Sequence, residues 1–312
     1  MPRTRSAPAS PESSSAGAAV PYRLMGVVNV TPDSFSDGGE HLAPAAAVAH
    51  ACALAAEGAH ILDVGGESTR PGAQPVDAAE ELRRVEPVLE GIVAALGAAA
   101  PQVSIDTSKA QVARAALARG ASLVNDISAF RADPEMAALV AEAEADCCLM
   151  HMRGEPRTMQ DAPSYEDVVD DVKAFLEERA EFALGEGVAL ERIMLDPGIG
   201  FGKTELHNLE LLRRLPELVE LGRPIVIGTS RKTFLGHIAA RAAPSSAPPG
   251  PRERLPGTIA TNVLALERGA SVFRVHDLAP VRDALAAAAA TLGAKWTATA
   301  SATATTRMTP TS

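Results

Sequence analysis

The segment Arg192–Thr204, RIMLDPGIGFGKT, joins a short apolar run to an acidic residue and three evenly spaced glycines. The run IML has the length and composition of a buried strand, and Asp196 follows directly where that strand ends. Glycine relaxes the steric limits on φ, so the backbone of GIGFG can approach a flat ligand closely. We predict a strand that places a carboxylate and a glycine loop beside a ligand.

Two glycine-containing nucleotide-binding motifs do not fit this segment. A Walker A loop requires glycine five positions before its second glycine, and Pro197 occupies that position. The dinucleotide fingerprint G-x-G-x-x-G requires unequal spacing, whereas Gly198, Gly200 and Gly202 are evenly spaced. The remaining alternative is a structural turn that only joins the strand to a helix.

The same unit, an apolar strand followed by polar residues and a helix, recurs along the whole chain. The predicted strands are 24–30, 60–64, 102–105, 122–124, 147–150, 193–195, 224–227 and 271–275. Helices are predicted between the strands, among them 206–221 after the sixth strand and 258–268 before the eighth. Regular alternation of strands and helices indicates a parallel sheet. Eight units in roughly 275 residues favour an α/β (β/α)₈ TIM barrel over an open doubly wound sheet.

Composition changes at both ends of the chain. Residues 1–20 are rich in Pro, Ser and Ala, and residues 295–312 are rich in Ala and Thr. Neither segment has apolar periodicity, so we predict two disordered tails around one barrel domain, 21–294. A Pro/Ser/Ala-rich insertion at 242–251 is predicted to be a flexible surface loop.

Charge and composition exclude several classes of protein. The formal net charge of −10 argues against a general nucleic-acid binder, although a small anionic ligand responds to local cations instead. The cysteines, Cys52, Cys147 and Cys148, have neither a disulfide framework nor zinc-site spacing. No apolar run is long enough for a membrane span or a signal peptide, so we predict a cytoplasmic protein.

Polar side chains stand at or just past the carboxyl end of each predicted strand. They are Asn29, Asp63, Asp106, Asn125, His151, Asp196, Ser230 with Lys232, and Arg274 with His276. One such residue can be an ordinary cap, but barrel enzymes build their active sites on this face. The recurrence at all eight strands therefore predicts an active site.

These strand-end residues form two chemical sets. The first offers acceptors, donors and one cation, which suit a heterocycle with an amidine-like edge: Asp106, Asn125, Asp196 and Lys232. The second suits a phosphate or diphosphate: Asn29, Arg70, Arg274 and His276. Helix caps for the carboxylates and surface positions for the cations are the alternatives.

Two polar loops flanked by Gly or Pro, 31–39 and 65–72, follow the first two strands. Loops of this kind close over a reacting centre and exclude water. The alternative is that both are plain surface linkers.

Eight segments together resemble the sequence blocks of the dihydropteroate synthase family, in the family's order. They are MGVVNVTPDSFSDGG, DVGGESTRPGA, SIDTSK, VNDIS, LMHMRGEPRTMQ, LDPGIGFGKT, GTSRKTFLG and FRVHD, within residues 24–292. The resemblance implies condensation of a 7,8-dihydropterin-6-ylmethyl diphosphate with 4-aminobenzoate, which gives dihydropteroate and diphosphate. It also implies a homodimer, in which the last helices form the interface.

The resemblance also assigns site residues by matching positions. It implies a pterin site of Asp106, Asn125, Asp196 and Lys232, and a diphosphate site of Asn29, Thr69, Arg274 and His276, with Mg²⁺ on Asn29. It implies an aminobenzoate site of Pro71, Phe201 and Ser230, and catalytic roles for Asp37, Arg70, Asp106 and Lys232.

The chemistry favours an SN1-like path. Departure of the diphosphate leaves positive charge on the pterin methylene, which Asp37 and Asp106 would stabilise. An aniline amine is already nucleophilic at neutral pH, so it needs orientation more than a base. The competing readings are a methyltetrahydrofolate:corrinoid methyltransferase, which would not need GESTRPG, SRK and RVH together, and a non-catalytic pterin-binding homologue.

Overall fold

The computed structural model describes residues 21–31, 42–69, 72–243 and 248–293. Eight strands lie within these ranges, one for each predicted strand. They are β1 (Arg23–Asn29), β2 (Ile61–Gly65), β3 (Gln102–Asp106), β4 (Leu123–Asp126), β5 (Asp146–Met150), β6 (Ile193–Asp196), β7 (Val226–Ile227) and β8 (Val272–Val275). The predicted tails 1–20 and 295–312 lie outside the described residues, as do 32–41, Arg70, Pro71 and 244–247.

Helices alternate with the strands. In the described part of the chain they are α1 (Leu42–Ala56), α2 (Ala78–Leu96), α3 (Ala110–Ala118), α4 (Met136–Glu142), α5 (Val168–Gly185), α6 (Glu205–Arg213), α7 (Leu215–Val219), α8 (Thr233–Ala242), α9 (Leu255–Glu267) and α10 (Leu278–Gly293). None of the helices in these ranges is long and apolar enough to cross a membrane.

All strand pairs are parallel, and the strands are ordered β6-β5-β4-β3-β2-β1-β8-β7. The first and last strands of this order meet at one bridge between Leu195 and Ile225. The Leu195 N–H donates to the carbonyl of Pro224 at 3.0 Å. This contact brings the sheet round to a nearly closed barrel, so the predicted (β/α)₈ fold is confirmed.

Side chains of alternate residues fill the two sides of the barrel wall. A compact cluster inside the barrel takes one buried residue from each of seven strands: Met25, Ile61, Leu123, Cys148, Met194, Val226 and Val272. Cys147, which precedes Cys148 in the chain, belongs to the larger core between strands and helices. Burial raises the pKa of both thiols, as expected for inert structural cysteines.

Three helical segments differ from the sequence prediction. The predicted single helix 206–221 is divided into α6 and α7, because Pro216 falls in the first turn of α7, where proline is tolerated. The helix α8 follows β7 after the loop 228–232, at a place where no helix was predicted. The helix predicted over 258–268 begins earlier, at Leu255, with a proline again in its first turn.

Candidate active site

A cavity of about 680 Å³ opens at the carboxyl ends of the strands. Ten of the residues predicted from the sequence line it: Asn29, Thr69, Asp106, Asn125, Asp196, Phe201, Ser230, Lys232, Arg274 and His276. The other three residues that the resemblance assigns, Asp37, Arg70 and Pro71, lie outside the described residues. The strand-end residues Asp63 and His151 do not line the cavity. The described part of the predicted site is therefore assembled around one cavity.

The register of the parallel strands brings these residues together. Asn29 is paired with Gly65, and Gly65 is paired with Asp106 on the next strand. Asp106 is in turn paired with Asn125. Along each strand, side chains alternate between the inside and the outside of the barrel, whereas paired residues on neighbouring strands point to the same side. Asp106 and Asn125 are such a pair, and both line the cavity.

Arg274 connects the two chemical sets that the sequence separates. Its Nε donates to Asp63 Oδ2 and its Nη2 to Asp106 Oδ2, each at 2.7 Å. The guanidinium predicted to bind diphosphate thus also touches a predicted pterin-binding carboxylate. The pKa of Asp106 is raised to about 7, because the effect of burial outweighs the lowering by Arg274 and nearby carboxylates, including Asp63, add to the rise.

Asp63 is fully buried, and its carboxylate accepts hydrogen bonds from three side chains. Besides Arg274, Ser104 Oγ donates to its Oδ1 at 2.6 Å, and Asn125 Nδ2 donates to its Oδ2 at 3.1 Å. The sequence places Asp63 at the end of a strand but gives it no role. Its position beside Arg274 arises because β2 and β8, which are far apart in the chain, both pair with β1.

The glycine loop after β6 turns sharply against β5. Asp196 Oδ1 accepts a hydrogen bond from the Gly198 N–H at 2.7 Å, and burial raises the pKa of this carboxyl. Gly198 has φ +67°, and a Cβ there would lie 1.9 Å from the carbonyl oxygen of His151. Only glycine fits this position, which explains in physical terms why the loop begins with it.

Lys203 fixes the other end of this loop and was missed in the sequence. Its side chain is buried, and Nζ donates to the carbonyls of Gly198 and Phe201 at 3.0 Å each. The same Nζ lies 2.8 Å from His151 Nδ1. Burial and the Lys203 charge lower the pKa of His151 to about 2, so the ring is neutral and its Nδ1 accepts.

Lys232 and Phe201 form one wall of the cavity. Lys232 Nζ lies 4.1 Å from the centre of the Phe201 ring, a cation–π distance. Burial, reinforced by Arg274, lowers the pKa of Lys232 to about 8. The side chain is therefore a cavity group, and the surface alternative for this lysine is wrong.

His276 lies beside Ser230 at the end of β8. The Ser230 hydroxyl accepts from the His276 N–H at 3.2 Å and lies 3.0 Å from its Nδ1. Burial and Arg274 lower the pKa of His276 to about 3, so the imidazole is neutral. The Ser230 hydroxyl is free to donate to Nδ1 while it accepts from the His276 N–H, and in that arrangement Nε2 carries the proton and presents a donor.

The base of the second polar loop is tied to the neighbouring helices. Glu67 lines the cavity and forms an ion pair with Lys109. Lys109 Nζ also donates to the fully buried Glu81 on α2 at 2.6 Å. These contacts fix the start of the segment that carries Thr69.

The chain matches the sequence profile described as "Pterin binding enzyme" over residues 25–276. It is 49% identical to the dihydropteroate synthase of Mycobacterium leprae over 266 residues, which are 85% of this chain and 92% of that protein. It is 46% identical to the dihydropteroate synthase of a Synechocystis strain over 82% of this chain and 85% of that one.

Solved structures agree with this assignment. The Xanthomonas albilineans dihydropteroate synthase with 4-aminobenzoic acid superposes with a TM-score of 0.79 and 47% identity, over 87% of this chain and 93% of that one. The same enzyme in complex with 7,8-dihydropteroate gives a TM-score of 0.76 and 44% identity, over 87% and 94%. The chain therefore belongs to the pterin-binding enzyme family and, within it, to the dihydropteroate synthases.

Proposed function

We propose that the cavity condenses (7,8-dihydropterin-6-yl)methyl diphosphate with 4-aminobenzoate to give 7,8-dihydropteroate and diphosphate. The observation that carries this proposal is the single cavity that joins buried carboxylates and an amide to an arginine and a histidine. A pterin and a diphosphate that belong to one molecule need both sets within reach of each other.

The pterin ring is assigned to the deep end of the cavity. Asp196 and Asn125 are almost fully buried there, and carboxylate and amide oxygens accept from the N–H groups of a pterin edge. Lys232 supplies a cation for an acceptor on the same ring. Asp106, hydrogen-bonded to Arg274, completes this end of the site.

The diphosphate is assigned to Asn29, Thr69, Arg274 and His276. Arginine is suited to phosphate oxygens through its fork of N–H donors, and a neutral His276 donates a hydrogen bond without adding charge. Arg70 of the same loop as Thr69 belongs to this group in the proposal.

Mg²⁺ fits this site as a partner of the diphosphate. The described residues hold no group of three or more His, Cys, Asp or Glu side chains that could bind a metal ion. Mg²⁺ bound to nucleotide-like substrates typically takes one or two protein oxygens together with phosphate oxygens and water. The Asn29 side-chain oxygen at the cavity fits that role, and the ion would neutralise charge on the departing diphosphate.

The reaction proceeds by departure of the diphosphate before attack by the amine. The methylene C–O bond breaks, its electron pair leaves with the diphosphate, and the resulting positive charge is shared with the pterin ring. The Asp106 carboxylate, with Asp37, stabilises this cation. The aniline nitrogen then bonds to the methylene and releases its proton to water, so no residue of the chain is assigned as a base.

The aminobenzoate is assigned to the cavity wall at Phe201 and Ser230, and Pro71 belongs to this group in the proposal. Its amine is mostly neutral at pH 7, so the wall contributes orientation. The active species is proposed to be a cytoplasmic homodimer, in line with the family resemblance.

The test is product formation. Purified protein is incubated with Mg²⁺, the dihydropterin diphosphate and 4-aminobenzoate, and dihydropteroate is measured by mass spectrometry, with Asp106→Ala as the control. Product from the unaltered protein alone supports the proposal. Pterin binding without product indicates a non-catalytic homologue. A separate incubation with methyltetrahydrofolate and a corrinoid tests the methyltransferase, which methyl transfer between the two would indicate.

A further inference from the structure

The buried carboxylate Asp63 touches two assigned binding residues without lining the cavity itself. Its exposure is 0%, and its Oδ2 accepts from both Asn125 Nδ2 and Arg274 Nε. Burying a carboxylate without hydrogen-bond donors costs free energy of folding, so both contacts stabilise the folded protein. These contacts determine how two cavity side chains are oriented.

The consequence for Asn125 follows from the chemistry of the amide. An ionised carboxylate only accepts hydrogen bonds, so the group of Asn125 that faces Asp63 is its NH₂. The side-chain oxygen then points away from Asp63, on the side of the cavity that Asn125 lines. Without Asp63, the amide could adopt either of two orientations. In one of them its NH₂, a donor, would face the ligand in place of its oxygen, an acceptor.

The consequence for Arg274 is similar. Its Nε is bound by Asp63 and its Nη2 by Asp106, each at 2.7 Å. Two carboxylates at two separate nitrogens fix both the position and the plane of the guanidinium. The remaining N–H groups are then held toward the cavity before any ligand arrives.

We propose that Asp63 is a positioning residue that sets Asn125 to present its oxygen to the pterin and holds Arg274 in its binding orientation. This inference rests on the proposed function. It assigns to Asp63 an effect on the pterin substrate and no direct effect on 4-aminobenzoate, whose assigned residues it does not contact.

The experiment compares Asp63→Ala, Asp63→Asn and the matched control Asp126→Asn. Asp126 is an equally buried carboxylate on β4 that also holds three hydrogen bonds, from Ser128 N, Ser128 Oγ and Phe130 N. KM is measured for each substrate with the other saturating, and folding is checked by thermal unfolding. Turnover by the unaltered protein in the same assay tests the proposed function separately.

Asp63→Ala removes the shared acceptor, and we expect KM for the pterin substrate to rise about 30-fold. Asparagine keeps an acceptor oxygen without its charge, so Asp63→Asn should raise this KM only about three- to tenfold. KM for 4-aminobenzoate should stay within about twofold in both variants, and Asp126→Asn should change neither KM by more than about twofold.

Equal increases of both KM values, or a pterin KM within about threefold in Asp63→Ala, would overturn the inference. If Asp63→Ala does not fold, Asp63→Asn decides alone. A selective rise in the pterin KM then supports the positioning role, and no rise, or an equal rise for both substrates, contradicts it.

Discussion

Three influences act on the pKa of Asp106: its burial, its hydrogen bond from Arg274 and the nearby carboxylates. Its pKa is raised to about 7, above the usual value for aspartate. The ionised fraction therefore grows as pH rises through neutrality. The carboxylate, in our account, is the form that stabilises the pterin cation.

The pH dependence of activity follows from this shift. We expect kcat/KM for the pterin substrate to fall on the acid side of about pH 7, as Asp106 takes up a proton. This decrease, the acid limb of the pH profile, is measured as kcat/KM of the unaltered protein over a series of pH values, and Asp106→Asn provides the comparison. The same acid limb in the residual activity of Asp106→Asn would show that another group titrates.

A second prediction for a single residue concerns the role of Lys232 in pterin binding. The ammonium lies against Phe201 within the cavity, so Lys232→Ala should abolish pterin binding, measured by calorimetry. The surface residue Lys173, paired with Glu220 on the outside of the barrel, is the matched control, and Lys173→Ala should bind as the unaltered protein does. Unchanged pterin affinity in Lys232→Ala would remove this lysine from the site.

At the scale of elements, the glycine loop after β6 depends on backbone space that only glycine leaves. Gly198→Ala would place a Cβ 1.9 Å from the His151 carbonyl oxygen, at a φ of +67°. We expect roughly 2–5 kcal/mol lower stability and loss of pterin binding, because the loop must move away from β5. Chemical denaturation and calorimetry measure the two effects.

Gly222 separates the effect of φ from the effect of space. It has nearly the same φ, +69°, and within the described part of the chain no atom beyond its two chain neighbours lies within 4 Å of the position of a Cβ. Gly222→Ala should therefore cost only about 1–2 kcal/mol and leave pterin binding intact. Equal losses of binding in both variants would contradict the steric account of the loop.

The strands and their polar ends could be predicted because both depend on local sequence. An apolar run that ends in Asp196 or Asp106 indicates a buried strand and the residue at which it ends, whatever the path of the rest of the chain. The contacts that organise the site join distant segments, such as Asp63 with Arg274 and Lys203 with His151. Strand pairing brings these segments together, with β2 and β8 on either side of β1 and with β5 beside β6. Local patterns therefore contain no signal of these pairs.

At the scale of the whole molecule, apolar residues remain exposed on the last helices. Leu264 on α9 is 42% exposed and Leu292 on α10 is 43% exposed. If these helices form the proposed dimer interface, Leu264→Arg places a charge in it and should convert the dimer to a monomer. Analytical ultracentrifugation measures the change.

Leu190, 43% exposed and outside both helices, is the control for this test. Leu190→Arg should leave the sedimentation of the protein unchanged. A monomeric unaltered protein, or a dimer that tolerates Leu264→Arg, would contradict this placement of the interface.

The central claim is that one cavity at the carboxyl end of the barrel holds both halves of the product. A crystal structure with 7,8-dihydropteroate tests it most directly. We expect the pterin ring among Asp106, Asn125, Asp196 and Lys232, and the benzoate against Phe201 and Ser230. A pterin bound outside these residues, or with its ring and benzoate ends exchanged, would contradict the account.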